Sequence, residues 1–189
     1  MVAVRDGVRL ATDIYLPEGS GPFPALLERT PYDRHLPGRS EITARDPNPL
    51  SRAAIAAFFA DAGYAVVYQD CRGRYGSEGR FTKYLGEAED GFDTASWLIR
   101  QPFCDGRIGT FGLSYAAHTQ AALGALDPPG LVAQVLDCGG FADAWQSGIR
   151  QSGAFELKQV TWAFKQAALS PEADRDPVLR AALAGEDIR

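Results

Sequence analysis

The segment Gly109-Thr-Phe-Gly112-Leu-Ser114-Tyr115-Ala116 constrains this chain more than any other stretch. Arg107 to Leu113 reads as a strand and Tyr115 to Leu126 as a helix, so Ser114 alone must turn the chain from one into the other. A strand-to-helix turn that tight imposes strained backbone angles on its central residue. It also leaves little space for the side chains two residues to either side. Gly112 meets that demand, and Ala116 meets it with a methyl group where a second glycine is more usual. Such a turn lifts the Ser114 hydroxyl above the sheet. It aims the Tyr115 amide N–H at the place where an oxyanion would form. A purely structural turn capped by serine would need the same glycine, so this segment by itself leaves both readings open.

Around the turn, strand and helix patterns alternate. Val8, Leu10, Thr12 and Ile14 share one face of the Val8 to Tyr15 segment, and Arg9, Ala11 and Asp13 the other. That alternation predicts a half-exposed, antiparallel edge strand. Ala25 to Arg29 predicts a second strand leading into Thr30-Pro31-Tyr32-Asp33, and the polar, proline-containing stretch from Asp33 to Pro49 predicts a loop. Ser51 to Ala62 has helical spacing, with Ala54, Ile55, Phe58, Phe59 and Ala62 on one side, Ser51 as cap and Gly63 as terminator. Tyr64 to Tyr68 is a continuous apolar run that suits a central parallel strand covered on both faces. Glu87 to Arg100 predicts a helix stopped by Pro102, and Leu131 to Leu136 a buried strand. The fold class is therefore α/β, a mostly parallel sheet flanked by helices. From Phe141 onward the pattern changes. Trp145, Phe155, Val160, Trp162 and Phe164 lie in a polar, helix-prone stretch that predicts no further strand. Two parts follow, residues 1–140 building the sheet and residues 141–189 opening a helical insertion.

Charge and cysteine content exclude several function classes. The 189 residues carry 19 basic and 24 acidic side chains, a net charge of −5, with no basic run. Nucleic acid and anionic membrane surfaces are not expected partners, because phosphate binding needs clustered positive charge. Cys71, Cys104 and Cys138 are odd in number and widely spaced. They predict neither a zinc site nor a disulfide framework, but buried free thiols. No metal or cofactor is expected. The N-terminus has no apolar core of signal-peptide length and no run approaches a membrane span, so a cytoplasmic location is the default expectation. Gly106, Gly109 and Gly112 are spaced G-x-x-G-x-x-G rather than G-x-G-x-x-G, which argues against a dinucleotide loop. Arg72, Gly73, Gly76 and Gly79 read as a structural turn after the Val66 to Asp70 strand, braced by an Asp70–Arg72 pair.

Several segments together resemble one family. Asp6-Gly-Val-Arg-Leu-Ala-Thr-Asp-Ile-Tyr-Leu-Pro17, Arg29-Thr-Pro-Tyr32, Gln69-Asp-Cys-Arg-Gly73-Arg-Tyr-Gly76-Ser-Glu-Gly79-Arg-Phe81 and the approach from Trp97 to Tyr115 stand in the order seen in the cocaine-esterase and Xaa-Pro dipeptidyl-peptidase (S15) family of α/β-hydrolase-fold serine hydrolases. The resemblance implies the N-terminal part of an α/β-hydrolase domain, with residues 141–189 beginning a helical cap. It implies hydrolysis of a small-molecule ester or amide through an acyl-enzyme on Ser114. The Tyr115 N–H and the Tyr32 hydroxyl would then be the two oxyanion donors.

In that fold the triad runs serine, acid, histidine along the chain. Only His118 follows Ser114, one helical turn on, where packing under the turn is the expected role. His35 precedes the serine and shares a loop with Tyr32. Asp137, at the end of the next strand, is a minor candidate for the acid; a turn-capping role is the plainer one. The family's acid and histidine are expected beyond Arg189, which makes the chain a truncated, inactive or weakly active hydrolase. The alternative is a non-catalytic binding or scaffold protein that keeps the turn without the base.

Overall fold

The structure is a computed structural model and describes residues 1–38, 48–139, 150–151 and 154–185. Two compact units are present, Met1–Gly140 and Phe141–Arg189. In the first, strands β1 (Val2–Ala3) and β2 (Arg9–Leu10) form a small antiparallel pair. The main sheet holds β3 (Thr12–Tyr15), β4 (Phe23–Thr30), β5 (Ala65–Asp70), β6 (Cys104–Leu113) and β7 (Leu131–Asp137) in the order β3-β5-β4-β6-β7. Every pairing in it is parallel except β3 with β5. The antiparallel edge strand expected near the N-terminus is thus present, but split at Ala11 so that β2 and β3 serve different sheets.

Helices α1 (Arg52–Asp61), α2 (Glu87–Leu98) and α3 (Tyr115–Gly124) cover the sheet. Successive β5 side chains face opposite ways. Val67 packs with Ala25, Leu27, Ala95, Leu98 and Ile108 on the α2 side, while Val66 and Tyr68 pack with Ala56 and Phe59 on the α1 side. All six β5 residues are buried; the apolar run predicts this for Ala65 to Tyr68, whereas Tyr64 precedes the strand and is exposed, and Gln69 and Asp70 extend it. Each such aliphatic side chain contributes about 1.5–3 kcal/mol of burial free energy.

Three expectations need correction. The buried side of α1 is Arg52, Ile55 and Ala56, whereas Phe58 stands 69% exposed. The helix is rotated because Arg52 reaches in to Glu28 of β4, Nη2 to Oε1 at 2.6 Å. A buried arginine with a carboxylate partner outcompetes a phenylalanine for that face, and hydropathy patterning cannot register it. Second, β7 is a sheet edge among the described residues rather than a buried strand, with Val132 at 66% and Val135 at 65% exposure. Third, Asp70 and Arg72 do not pair. Asp70 binds Arg34, while Arg72 binds Asp90 and Asp6, each at 2.6 Å.

In the second unit, a short antiparallel pair, β8 (Arg150–Gln151) and β9 (Ala154–Phe155), precedes α4 (Leu157–Ala167), α5 (Pro171–Arg175) and α6 (Pro177–Gly185). The helical pattern is as expected; the strand pair is not, being too short to leave a periodicity. Trp145 lies outside the described residues. No helix among the described residues is long and apolar enough to cross a membrane. Cys71 and Cys104 are buried free thiols, whereas Cys138 is exposed.

Candidate active site

Ser114 lies where β6 becomes α3, with φ 60° and ψ −114°. A positive φ is rare for a residue with a side chain and costs on the order of 1–3 kcal/mol, so the surroundings must hold it. They do so from both sides. The Ser114 N–H donates to the carbonyl of Asp137 at 2.9 Å, and its own carbonyl accepts from the amides of Ala117 and His118. Gly112 has φ 142°, and a Cβ there would lie 2.5 Å from the Ala116 Cβ. The small residues flanking the serine are therefore in van der Waals competition for one space. Gly112→Ala is expected to lower stability by about 2–3 kcal/mol from backbone strain and overpacking, read as a shift of the urea midpoint. Gly139 closes the turn from below, since a Cβ there would meet the Ser114 carbonyl oxygen at 2.5 Å. The sequence signal for that contact was the glycine itself, two residues after β7.

Tyr115 opens α3, so its N–H is among those the helix cannot satisfy from within. Its side chain is 3% exposed. The phenol donates to Glu87 Oε1 at 3.0 Å and accepts from the Tyr84 N–H at 2.8 Å. Tyr84 stacks on the ring at 5.2 Å and 15°, and Tyr32 meets it edge-on at 6.4 Å. Burial and the neighbouring Glu87 carboxylate push the Tyr115 phenol well above its ordinary pKa. Burial likewise raises the Glu87 carboxyl, opposed by the Arg29 guanidinium 3.3 Å away.

Tyr32 sits half-buried in the loop after β4. Its N–H donates to Thr30 Oγ1, and Arg74 Nε donates to the Pro31 carbonyl at 3.1 Å. Arg74, 2% exposed, comes from the glycine turn after β5 and lies over the rings of Tyr75 and Phe81. Gly73 gives that turn its tightness, because a Cβ would lie 2.1 Å from the Phe81 nitrogen. The turn contacts the segment carrying Tyr32 through Arg74. The structure thus brings Ser114, Tyr115 and Tyr32 to one end of the sheet.

The histidines are placed differently. His118 is buried against Tyr84 at 4.5 Å and Tyr115 at 5.7 Å, and burial lowers its pKa. No carboxylate pairs with it among the described residues. His35 is exposed and pairs with Asp13 at 3.0 Å. Asp137 contacts the turn through its main-chain carbonyl. Gly106 and Gly109 lie inside β6, so the glycine spacing there is strand and not a phosphate loop. Among the described residues, no three His, Cys, Asp or Glu side chains converge as a metal site would require. Arg29, Glu87 and Arg74 were not singled out by sequence reasoning, because their partners lie tens of residues away.

Comparison with known proteins decides the family. The model of the X-Pro dipeptidyl-peptidase (S15) family matches residues 6–187. The chain belongs to this family. It is 43% identical over 120 residues to a cocaine esterase from Rhodococcus sp. (strain MB1 Bresler), covering 64% of this chain and 19% of that protein. An α-amino acid ester hydrolase structure is 31% identical with a TM-score of 0.69, covering 88% of this chain and 29% of that one. A CocE/NonD family hydrolase from Staphylococcus aureus is 25% identical with a TM-score of 0.73, covering 90% of this chain and 33% of that one. The two solved structures share with this chain the mostly parallel, helix-flanked sheet of the α/β-hydrolase fold, and the chain spans no more than a third of the length of each of the three proteins.

Proposed function

We propose that the chain carries the nucleophile and the oxyanion site of a serine hydrolase that cleaves small-molecule ester or amide bonds. The backbone of Ser114, φ 60° and ψ −114° with a glycine and a methyl group packed beneath it, is the observation that carries this reading. Ser114 Oγ attacks the substrate carbonyl carbon and gives its proton to a histidine base. The tetrahedral oxyanion is held by the Tyr115 N–H and the Tyr32 hydroxyl. Its collapse breaks the bond to the leaving alcohol or amine, which takes that proton, and water then releases the acyl group from Ser114. His118 is enclosed by aromatic rings and His35 is paired on the surface with Asp13, so the base and its acid come from residues other than these. In this reading residues 1–140 are the N-terminal part of the hydrolase domain and 141–189 begin a helical cap. The relatives' names, an esterase and an ester hydrolase, favour esters among the possible substrates.

The test is covalent labelling with a fluorophosphonate probe. The full-length gene product should label, its Ser114→Ala variant should not, and residues 1–189 alone should label slowly or not at all. Equal labelling of the first two removes Ser114 as nucleophile. Failure of the full-length product to label favours a non-catalytic scaffold. Rapid labelling of residues 1–189 returns His118 to consideration as base. Tyr32→Phe should lower kcat by about 10²–10³-fold with little change in KM, the loss typical of one oxyanion donor.

A further inference from the structure

The Tyr115 side chain has more hydrogen bonding than a residue needs whose expected contribution is a main-chain N–H. Its phenol accepts from Tyr84 and donates to Glu87, and both partners are held in unusual states. Tyr84 has φ 66°, an outlier for an aromatic residue. Gly86, with φ 81°, then starts α2 without any side-chain cap. Glu87 is 4% exposed and is pinned by Arg29, whose Nη1 donates to the Glu87 carbonyl at 2.7 Å and whose Nε donates to Gln69 Oε1 at 2.8 Å. A charged pair in the interior and a left-handed tyrosine are each costly, and both converge on one hydroxyl.

We infer that the Tyr115 phenol, clamped between the Tyr84 amide and the Glu87 carboxylate, is a positioning group for the oxyanion site. The clamp fixes the side chain of the residue that bears one donor. The same ring is the surface against which Tyr32, bearing the other, packs edge-on. A tetrahedral intermediate needs both donors within a few tenths of an ångström of their places before charge develops. A phenyl ring at position 115 keeps the packing and lets the ring slide, because neither the amide nor the carboxylate then holds it. The clamp rests on the catalytic reading given above, and its test separates the two.

Tyr115→Phe and Glu87→Gln are made in the full-length gene product, with rates normalised to the fraction of sites titrated by a fluorophosphonate, so that misfolded protein does not count. Affinity is measured for a boronic acid that forms a tetrahedral adduct on serine. Tyr115→Phe should lower kcat and boronate affinity together, by about tenfold each, with KM within twofold. Glu87→Gln keeps an acceptor for the phenol but leaves the buried Arg29 charge short of its partner, so its loss of both should lie between the parent and Tyr115→Phe. The inference is overturned if Tyr115→Phe lowers only the melting temperature, or raises KM while leaving boronate affinity intact. It is also overturned if Glu87→Gln loses as much as Tyr115→Phe. Titration by the probe in the unaltered protein, absent in Ser114→Ala, secures the underlying catalytic reading whichever way the clamp falls.

Discussion

Ser114→Ala is expected to lower kcat of the full-length gene product by about 10⁵–10⁶-fold while leaving KM and the melting temperature nearly unchanged. The size of the effect follows from what the hydroxyl does. In the proposed mechanism no acyl-enzyme forms without it, and what would remain is the stabilisation that the oxyanion donors give to attack by water, on the order of 10³–10⁴ over solution. The neutrality toward stability follows from the turn. Ser114 makes no side-chain cap hydrogen bond to α3, and what holds its backbone is the Asp137 carbonyl and the crowding of Gly112, Ala116 and Gly139. Alanine keeps the Cβ and the same main-chain bonds. A structural cap would behave in the opposite way, because loss of an N-cap costs about 1 kcal/mol and would show in the melting temperature with little change in rate. The two readings that the sequence segment leaves open are therefore separated by one variant and two measurements. A rate within tenfold of the parent would end the nucleophile assignment.

The parts of this site that were legible in the sequence are those set by near neighbours. Gly112, Ser114 and Ala116 lie within five residues, and the steric rule linking them is local. The Tyr64 to Tyr68 run needed only its own hydropathy to be read as a strand inside the sheet, where Ala65 to Tyr68 lie between β3 and β4. Reading failed where a partner is distant. Arg29 and Glu87 are 58 residues apart, and Tyr115 and Glu87 are 28 apart, so no window along the chain contains the network. Proximity in sequence also misled: Asp70 and Arg72 looked like a pair, yet the turn sends Arg72 to Asp90 and leaves Asp70 to Arg34, which comes from the Tyr32 loop. The orientation of α1 failed for a related reason. Phe58 is the more hydrophobic residue, but Arg52 has Glu28 and two loop carbonyls to bind, those of Asp33 and Leu36, and so occupies the inner face. Buried ion pairs override hydropathy patterning, and in this fold they cluster around the segments carrying Tyr32 and Tyr115.

The largest stability effect falls on that cluster. Arg29→Leu is expected to destabilise the fold by about 3–5 kcal/mol, because removing one member of a buried ion pair leaves the other uncompensated. Arg29 is 3% exposed; its guanidinium donates to Gln69 through Nε and to the Glu87 carbonyl through Nη1, and forms an ion pair with the Glu87 carboxylate through Nη2 at 3.3 Å. Asp90 stands 3.9 Å away and keeps Arg72, so the group that loses its cation is Glu87, which then has only neutral donors such as the Tyr115 phenol. Leucine approximates the volume but satisfies none of these acceptors. Urea denaturation should show a lower midpoint at an unchanged slope. Arg9→Ala, which breaks the exposed pair with Glu78, should leave the midpoint within error. The pH dependence gives a second check with a defined sign. Burial already raises the Glu87 carboxyl above its ordinary value, and loss of Arg29 raises it further. A carboxyl with a raised folded-state pKa binds its proton more tightly in the native state. Its protonated form contributes stability below the unfolded pKa, and that contribution is lost as pH climbs through the folded one. The deficit of Arg29→Leu relative to the parent should therefore narrow on acidification toward the ordinary carboxyl range and widen toward neutral pH. A deficit that is constant across that range would mean that lost packing, and not the stranded Glu87 charge, sets the cost.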